Sequence, residues 1–165
     1  IDASAGTVEE LDRMITRIRE RWPAVEIVVR GDSGFCREAL MSWCEAHSVH
    51  YVLGLARNKR LEAELADDLK WAEFAHRLTG QPVRFFNDFT YRTLDSWSRS
   101  RRVIGKAEYL SGGPNPRFIV TSISAQHYDG EVLYEHVYCA RGDMENRIKG
   151  APGDRRGVGG ESPLH

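Results

Sequence analysis

The segment "VEIVVRGDSGF", residues 25 to 35, most narrows what this chain can fold into, because a short β-branched run closes abruptly on Arg-Gly-Asp-Ser-Gly. The run "VEIVV" is apolar on both faces, as expected of a strand in the middle of a covered parallel sheet. Before it, "TVEELDRMITRIRERW" (7–22) sets Val8, Leu11, Ile15 and Ile18 at helical spacing, with Thr7 as N-cap, Glu10 three residues on and Pro23 as the stop. After it, "FCREALMSWCEAHS" carries an apolar face through Phe35, Leu40, Trp43 and Cys44, and "VHYVLGLA" supplies a second strand. Residues 59 to 79 read as one helix, acidic outside through Glu62, Glu64, Asp67, Asp68 and Glu73. Helix and strand in alternation predict an α/β fold, with the strand over 25–30 parallel to the one near 50–55.

From Pro82 the texture changes. "VRFFNDFTYRTLDSW", "RRVIGKAEYL" and "RFIVTSI" have period-two character, and "SGGPNP" separates the last two, so an antiparallel sheet or hairpin is expected before a final helix, "LYEHVYCARGDMENRIK". "GAPGDRRGVGGESPLH" holds five glycines and two prolines among 16 residues and reads as a disordered tail, 150–165. At 165 residues, 41% hydrophobic and 28% charged, the chain reads as about one soluble domain with no membrane span and a cytoplasmic location. Cys36, Cys44 and Cys139 are an odd number at spacings unlike any zinc ribbon or finger and read as reduced thiols. A net charge of −1 gives no global attraction to nucleic acid, so DNA contact must rest on local basic clusters.

A solvated aspartate in a turn needs no explanation, but a carboxylate at the mouth of a parallel sheet is a candidate metal ligand. Asp32 is that carboxylate. The letters "GDSG" also surround the nucleophile of trypsin-like proteases, but those are all-β and bring their histidine from before the serine, whereas the first histidine here is His47. "RGD" occurs at 30–32 and 141–143, once closing a strand and once inside a predicted helix, and chance accounts for both. Two divalent ions would need several carboxylate oxygens, Mg²⁺ preferring oxygen donors. In the final helix Tyr138, Arg141, Glu145 and Lys149 share one face, which keeps Glu145 ionised between cations; an exposed stripe of ion pairs is the plainer account of the same spacing. His47, His50 and His136 read as packing or surface residues.

These motifs together resemble bacterial insertion-sequence transposases of the DDE type. There "RGDSGF" followed by "REALMSWCE" surrounds the second catalytic aspartate, and Tyr138, Arg141 and Glu145 match a signature of Tyr, Arg, Glu and Lys around the last carboxylate. The resemblance covers roughly residues 1–149. It implies a partial ribonuclease H-like core with an antiparallel β-rich insertion: 1–81 as the first part of the core, 82–124 as the insertion and 125–149 as the last core helix. It implies Asp32 and Glu145 as catalytic residues and ligands of two Mg²⁺ ions, transposon-end and target DNA as partners, and leaves a homodimer of the intact protein open. Arg57, Lys59 and Arg60 form one basic cluster; Arg99, Arg101, Arg102 and Lys106, beside Trp97, Tyr91 and Tyr109, form another. With Tyr138, Arg141 and Lys149, the residues Arg99, Arg101 and Arg102 are the expected DNA contacts.

Two departures accompany the match. No strand that would carry the family's first aspartate precedes "IDASAGTVEE", Asp2 being a poor substitute, and the signature's lysine position holds Pro152. The expectation is therefore an inactive, marginally stable piece of a transposase in which the strand ending at Asp32 loses a neighbour and exposes an unpaired edge, with a shifted frame or a truncated element after Lys149 as the two accounts of the tail, and with a nucleic-acid-binding remnant or a structural protein without DNA affinity as rivals.

Overall fold

A computed structural model describes residues 6–140. Helix α1 (Thr7–Arg21) starts from Gly6, whose left-handed backbone (φ 79°) takes the N-cap position, so Thr7 is the first helical residue and not the cap. Ile15 is buried, with Val8 and Leu11 packed beside the same core. The guanidinium of Arg19 donates to the carbonyls of His47 (2.7 Å) and Ser48 (3.1 Å), tying α1 to the end of α2 (Glu38–Ala46).

Strand β1 (Val28–Gly31) pairs in parallel with β2 (His50–Leu55), Val28 opposite His50 and Gly31 opposite Leu53. The parallel pairing expected from sequence is present, but among the described residues β1 pairs on one side alone. It is therefore an edge strand among the described residues, with Val28 exposed, as expected for a core without the family's first strand, even though its apolar run taken alone suits a central strand.

Across β2 runs antiparallel β6 (Arg117–Thr121), then β4 (Arg101–Leu110), then β3 (Val83–Tyr91) at the far edge, while β5 (Gly113–Pro114) clips onto β4. The strand-like runs after Pro82 thus continue the sheet begun by the parallel pair. Alternation divides the central strands between two cores. Tyr51, Leu53, Val103, Phe118 and Val120 face α1, α2 and the helices after β2, whereas Val52, Ile104 and Ile119 face Leu133 and Tyr134.

The single helix expected over 59–79 is two, α3 (Lys59–Glu64) and α4 (Ala66–Thr79), joined at fully buried Leu65. Leu65 fills the space over Gly105, where a Cβ would come within 2.7 Å of its side chain, so the break in the helix lets a leucine reach the sheet. Asn58 caps α3, accepting from the Leu61 amide at 2.9 Å. On the opposite face α5 (Gly130–Val132), capped by Asp129, widens into a π-helical segment, Leu133–Tyr138. The remainder of the expected final helix, 141–149, and the tail lie outside the described residues.

At the start of β4 the guanidinium of Arg101, almost wholly buried, donates to Glu45 at 2.7 Å and Glu38 at 2.8 Å and lies over the Trp97 ring. Burial alone would raise the Glu38 carboxyl, but hydrogen bonds from Arg101, Ser98 and Ser42 outweigh it and bring it down to about 2. Glu45 is lowered for the same reason, with Tyr51 as a further donor. A folded-state pKa below the unfolded one stabilises above the unfolded value, and that stability is lost as pH falls. Melting temperature is therefore expected to fall between about pH 4.5 and pH 2, and Glu38→Gln should flatten that part of the profile; an unchanged profile would remove Glu38 from the account.

Candidate functional site

The end of β1 is shaped by missing side chains. A Cβ on Gly31 would stand 3.1 Å from the Phe35 Cβ, so a side chain there would press on the short 3₁₀ turn Ser33–Phe35 and have to push Phe35 aside by a few tenths of an ångström. Asp32 caps that turn, its Oδ1 accepting from the Gly34 amide at 2.9 Å, and its side chain is exposed at the mouth of the parallel pair. On the neighbouring strand Gly54 leaves a second gap. A Cβ there would lie 2.6 Å from the Tyr138 hydroxyl and 2.9 Å from the Ser33 amide nitrogen. Tyr138 therefore reaches across β2 to the Asp32–Ser33 peptide.

Arg30, on the strand that leads into Asp32, donates to the carbonyl of Val137 at 3.1 Å and also to that of Ala140. This satisfies carbonyls at the end of the π-helical segment and fixes Tyr138 against the turn. Gly54→Ala should dislodge the tyrosine and destabilise by about 1–3 kcal/mol through overpacking. Thermal melts, with Tyr138→Phe as the control that keeps the ring, test this; a neutral Gly54→Ala would mean the contact is slack.

The result is a cleft of about 440 Å³ bounded by Asp32, Ser33, Arg57, Arg117, Tyr134 and Tyr138. Asp32 is the one carboxylate among its described lining residues. Arg57 is exposed, with Glu62 at 3.9 Å, and Arg117 is exposed at the start of β6. Since β6 runs antiparallel to β2, with Phe118 opposite Leu55, its first residue arrives at the sheet end where Asp32 sits. Sequence reading named Arg57 but passed over Arg117; the available signal was a cation directly after the "PNP" turn.

The other candidate residues divide. Arg99, Arg101 and Arg102 stand at the opposite end of the sheet. Arg101 is buried in its ion pairs, which turns its donors away from any DNA. Arg102 grips Asp88 and the carbonyls of Ile123 and Tyr128. Arg99 is exposed, 3.4 Å from Glu45. Arg60 covers the ring of Tyr91. Arg141, Glu145 and Lys149 lie outside the described residues, as does Asp2.

Among the described residues no three His, Cys, Asp or Glu side chains converge as a ready-made metal cage, and no helix is long and apolar enough to cross a membrane. Mg²⁺ is commonly held by one or two carboxylates together with substrate phosphates and water, so an exposed carboxylate beside two arginines fits an ion that arrives with a phosphodiester. A family model described as "Transposase DDE domain group 1" matches residues 1–154. No curated protein matches the chain.

Proposed function

This chain belongs to the DDE transposases, and from that premise we propose that it contributes Asp32, with Glu145, to a divalent-metal site that cuts transposon-end DNA and joins it to a target strand. The observation that carries the reading is the cleft at one end of the sheet that Asp32, Tyr138, Arg57 and Arg117 line together. Bound divalent ions would polarise a DNA phosphate and make a coordinated water or 3′ hydroxyl more nucleophilic. Asp32 supplies an oxygen ligand held in place by its bond to the Gly34 amide. Arg57 and Arg117 neutralise the phosphates of an approaching strand, and Tyr138, its hydroxyl lying over Gly54, limits how deep that strand can enter. Arg30 holds the carbonyls of Val137 and Ala140 against the strand that leads into Asp32.

The 165-residue chain alone is proposed to bind DNA without completing strand transfer, because Asp32 and Glu145 are two carboxylates where the family resemblance implies three, and correct placement of both ions needs the full set. The test is Mg²⁺-dependent nicking and joining of transposon-end DNA. Nicking that disappears in Asp32→Asn would overturn the inactivity, and absence of DNA binding would overturn the functional reading. In the same assay Arg57→Glu and Arg117→Glu should weaken binding to all sequences alike and lower the salt slope by about one each. A binding-only remnant predicts DNA affinity unaffected by Mg²⁺.

A further inference from the structure

The sheet has a second cleft, at the end away from Asp32. Strand β2 begins there and antiparallel β6 ends there, with Thr121 opposite both Val52 of β2 and Arg102 of β4. Segments remote in sequence therefore meet. Ser48 and His50 after α2, Arg99 and Ser100 before β4, and Ser122 and Ser124 after β6 line a cleft of about 510 Å³, a size that suits a small ligand.

The donors in this cleft exceed what the fold uses. Glu45, the one carboxylate among the described lining residues, already accepts from two nitrogens of Arg101 at 2.7 and 3.1 Å and from the Tyr51 hydroxyl at 2.7 Å. Arg99 reaches it at 3.4 Å, a marginal bond, and has no other partner among the described residues. The Ser122 hydroxyl accepts from the Tyr51 amide at 3.0 Å, which turns its own proton toward His50 Nδ1 at 3.4 Å and leaves the ring proton on Nε2 as a spare donor. Ser48 takes the left-handed position after α2 (φ 55°) that glycine or asparagine ordinarily fills. Neither its hydroxyl nor that of Ser100 is bonded among the described residues.

We propose that this cleft is a phosphate site, separate from the Asp32 cleft, in which Arg99 supplies the charge and Ser48, His50, Ser100 and Ser122 supply further donors. A guanidinium among hydroxyls suits a tetrahedral oxyanion, which accepts several hydrogen bonds at once. A divalent ion would find one carboxylate, already bonded. The phosphate of a nucleic-acid backbone and that of a small phosphorylated molecule share this chemistry.

Titration of the isotope-labelled 165-residue chain with inorganic phosphate, against sodium chloride of equal ionic strength, should move the backbone amide signals of Ser48, Ser100, Ser122 and Ser124 together, saturating with a dissociation constant of about 1 mM. Arg99→Gln should weaken binding about tenfold. Ser48→Gly, which relieves the left-handed backbone, should raise the melting temperature yet weaken phosphate binding about threefold, a combination that a purely structural serine would not give. Asp32→Asn should leave the titration unchanged, which separates this site from the proposed metal site. A short DNA duplex that moves the same signals and displaces phosphate assigns the site to backbone phosphate, and a duplex that leaves them unmoved while phosphate binds assigns it to a small phosphorylated molecule. Shifts no larger than chloride gives, equal binding in Arg99→Gln, or shifts confined to Arg57 and Arg117 overturn the proposal.

Discussion

Replacing Arg101 with Met should destabilise the chain by about 3 kcal/mol, a fall in melting temperature of roughly 10 °C. The side chain is 2% exposed and bonds both Glu38 and Glu45, whose carboxylates would remain side by side, mostly out of water, without their cation. Trp97 would also lose the group that lies over it. The loss should shrink in Arg101→Met/Glu38→Gln/Glu45→Gln, where no unpaired charge is left. A single variant as stable as the wild type would show that water reaches this cluster and that the ion pairs are ordinary surface pairs. DNA affinity should change little in the triple variant, since Arg101 points into the protein.

Asp32→Asn should leave stability nearly unchanged, because an asparagine oxygen can still accept from the Gly34 amide, yet it should abolish any increase in DNA affinity caused by Mg²⁺. That increase is expected to be about tenfold or more, an ion shared between carboxylate and phosphate binding better than to either alone. Calorimetric DNA titrations with and without Mg²⁺ measure it. An identical Mg²⁺ effect in wild type and Asp32→Asn would place the ion elsewhere.

Local pattern announced much of this arrangement. The β-branched run before "GDSG", the glycine turn and the second apolar run predicted the parallel pair and put Asp32 at its mouth, because strand length and turn chemistry are written in neighbouring residues. What depends on distant partners was not legible. The apolar run of β1 is the same whether one neighbour or two pair with it, so its edge position among the described strands could not be read from Val28 or Val29. The break at Leu65 depends on Gly105, forty residues away. A stretch rich in arginine looks the same whether its charges face DNA or, like Arg101 and Arg102, face carboxylates brought in by α2 and β3. The cleft itself depends on Gly54 and Arg117, an inconspicuous strand glycine and a single cation, which become meaningful once antiparallel β6 is laid beside β2.

The central claim, that metal and DNA meet at the Asp32 end of the sheet, is tested most directly by adding Mn²⁺ to the isotope-labelled chain bound to a DNA duplex and following paramagnetic broadening of backbone amide signals. Ser33, Gly34 and Gly54 should broaden first, at Mn²⁺ concentrations that leave Ser122 and Glu45 at the other end untouched, and Asp32→Asn should abolish the effect. Broadening that begins at Glu38 and Glu45, or that survives Asp32→Asn unchanged, would contradict it.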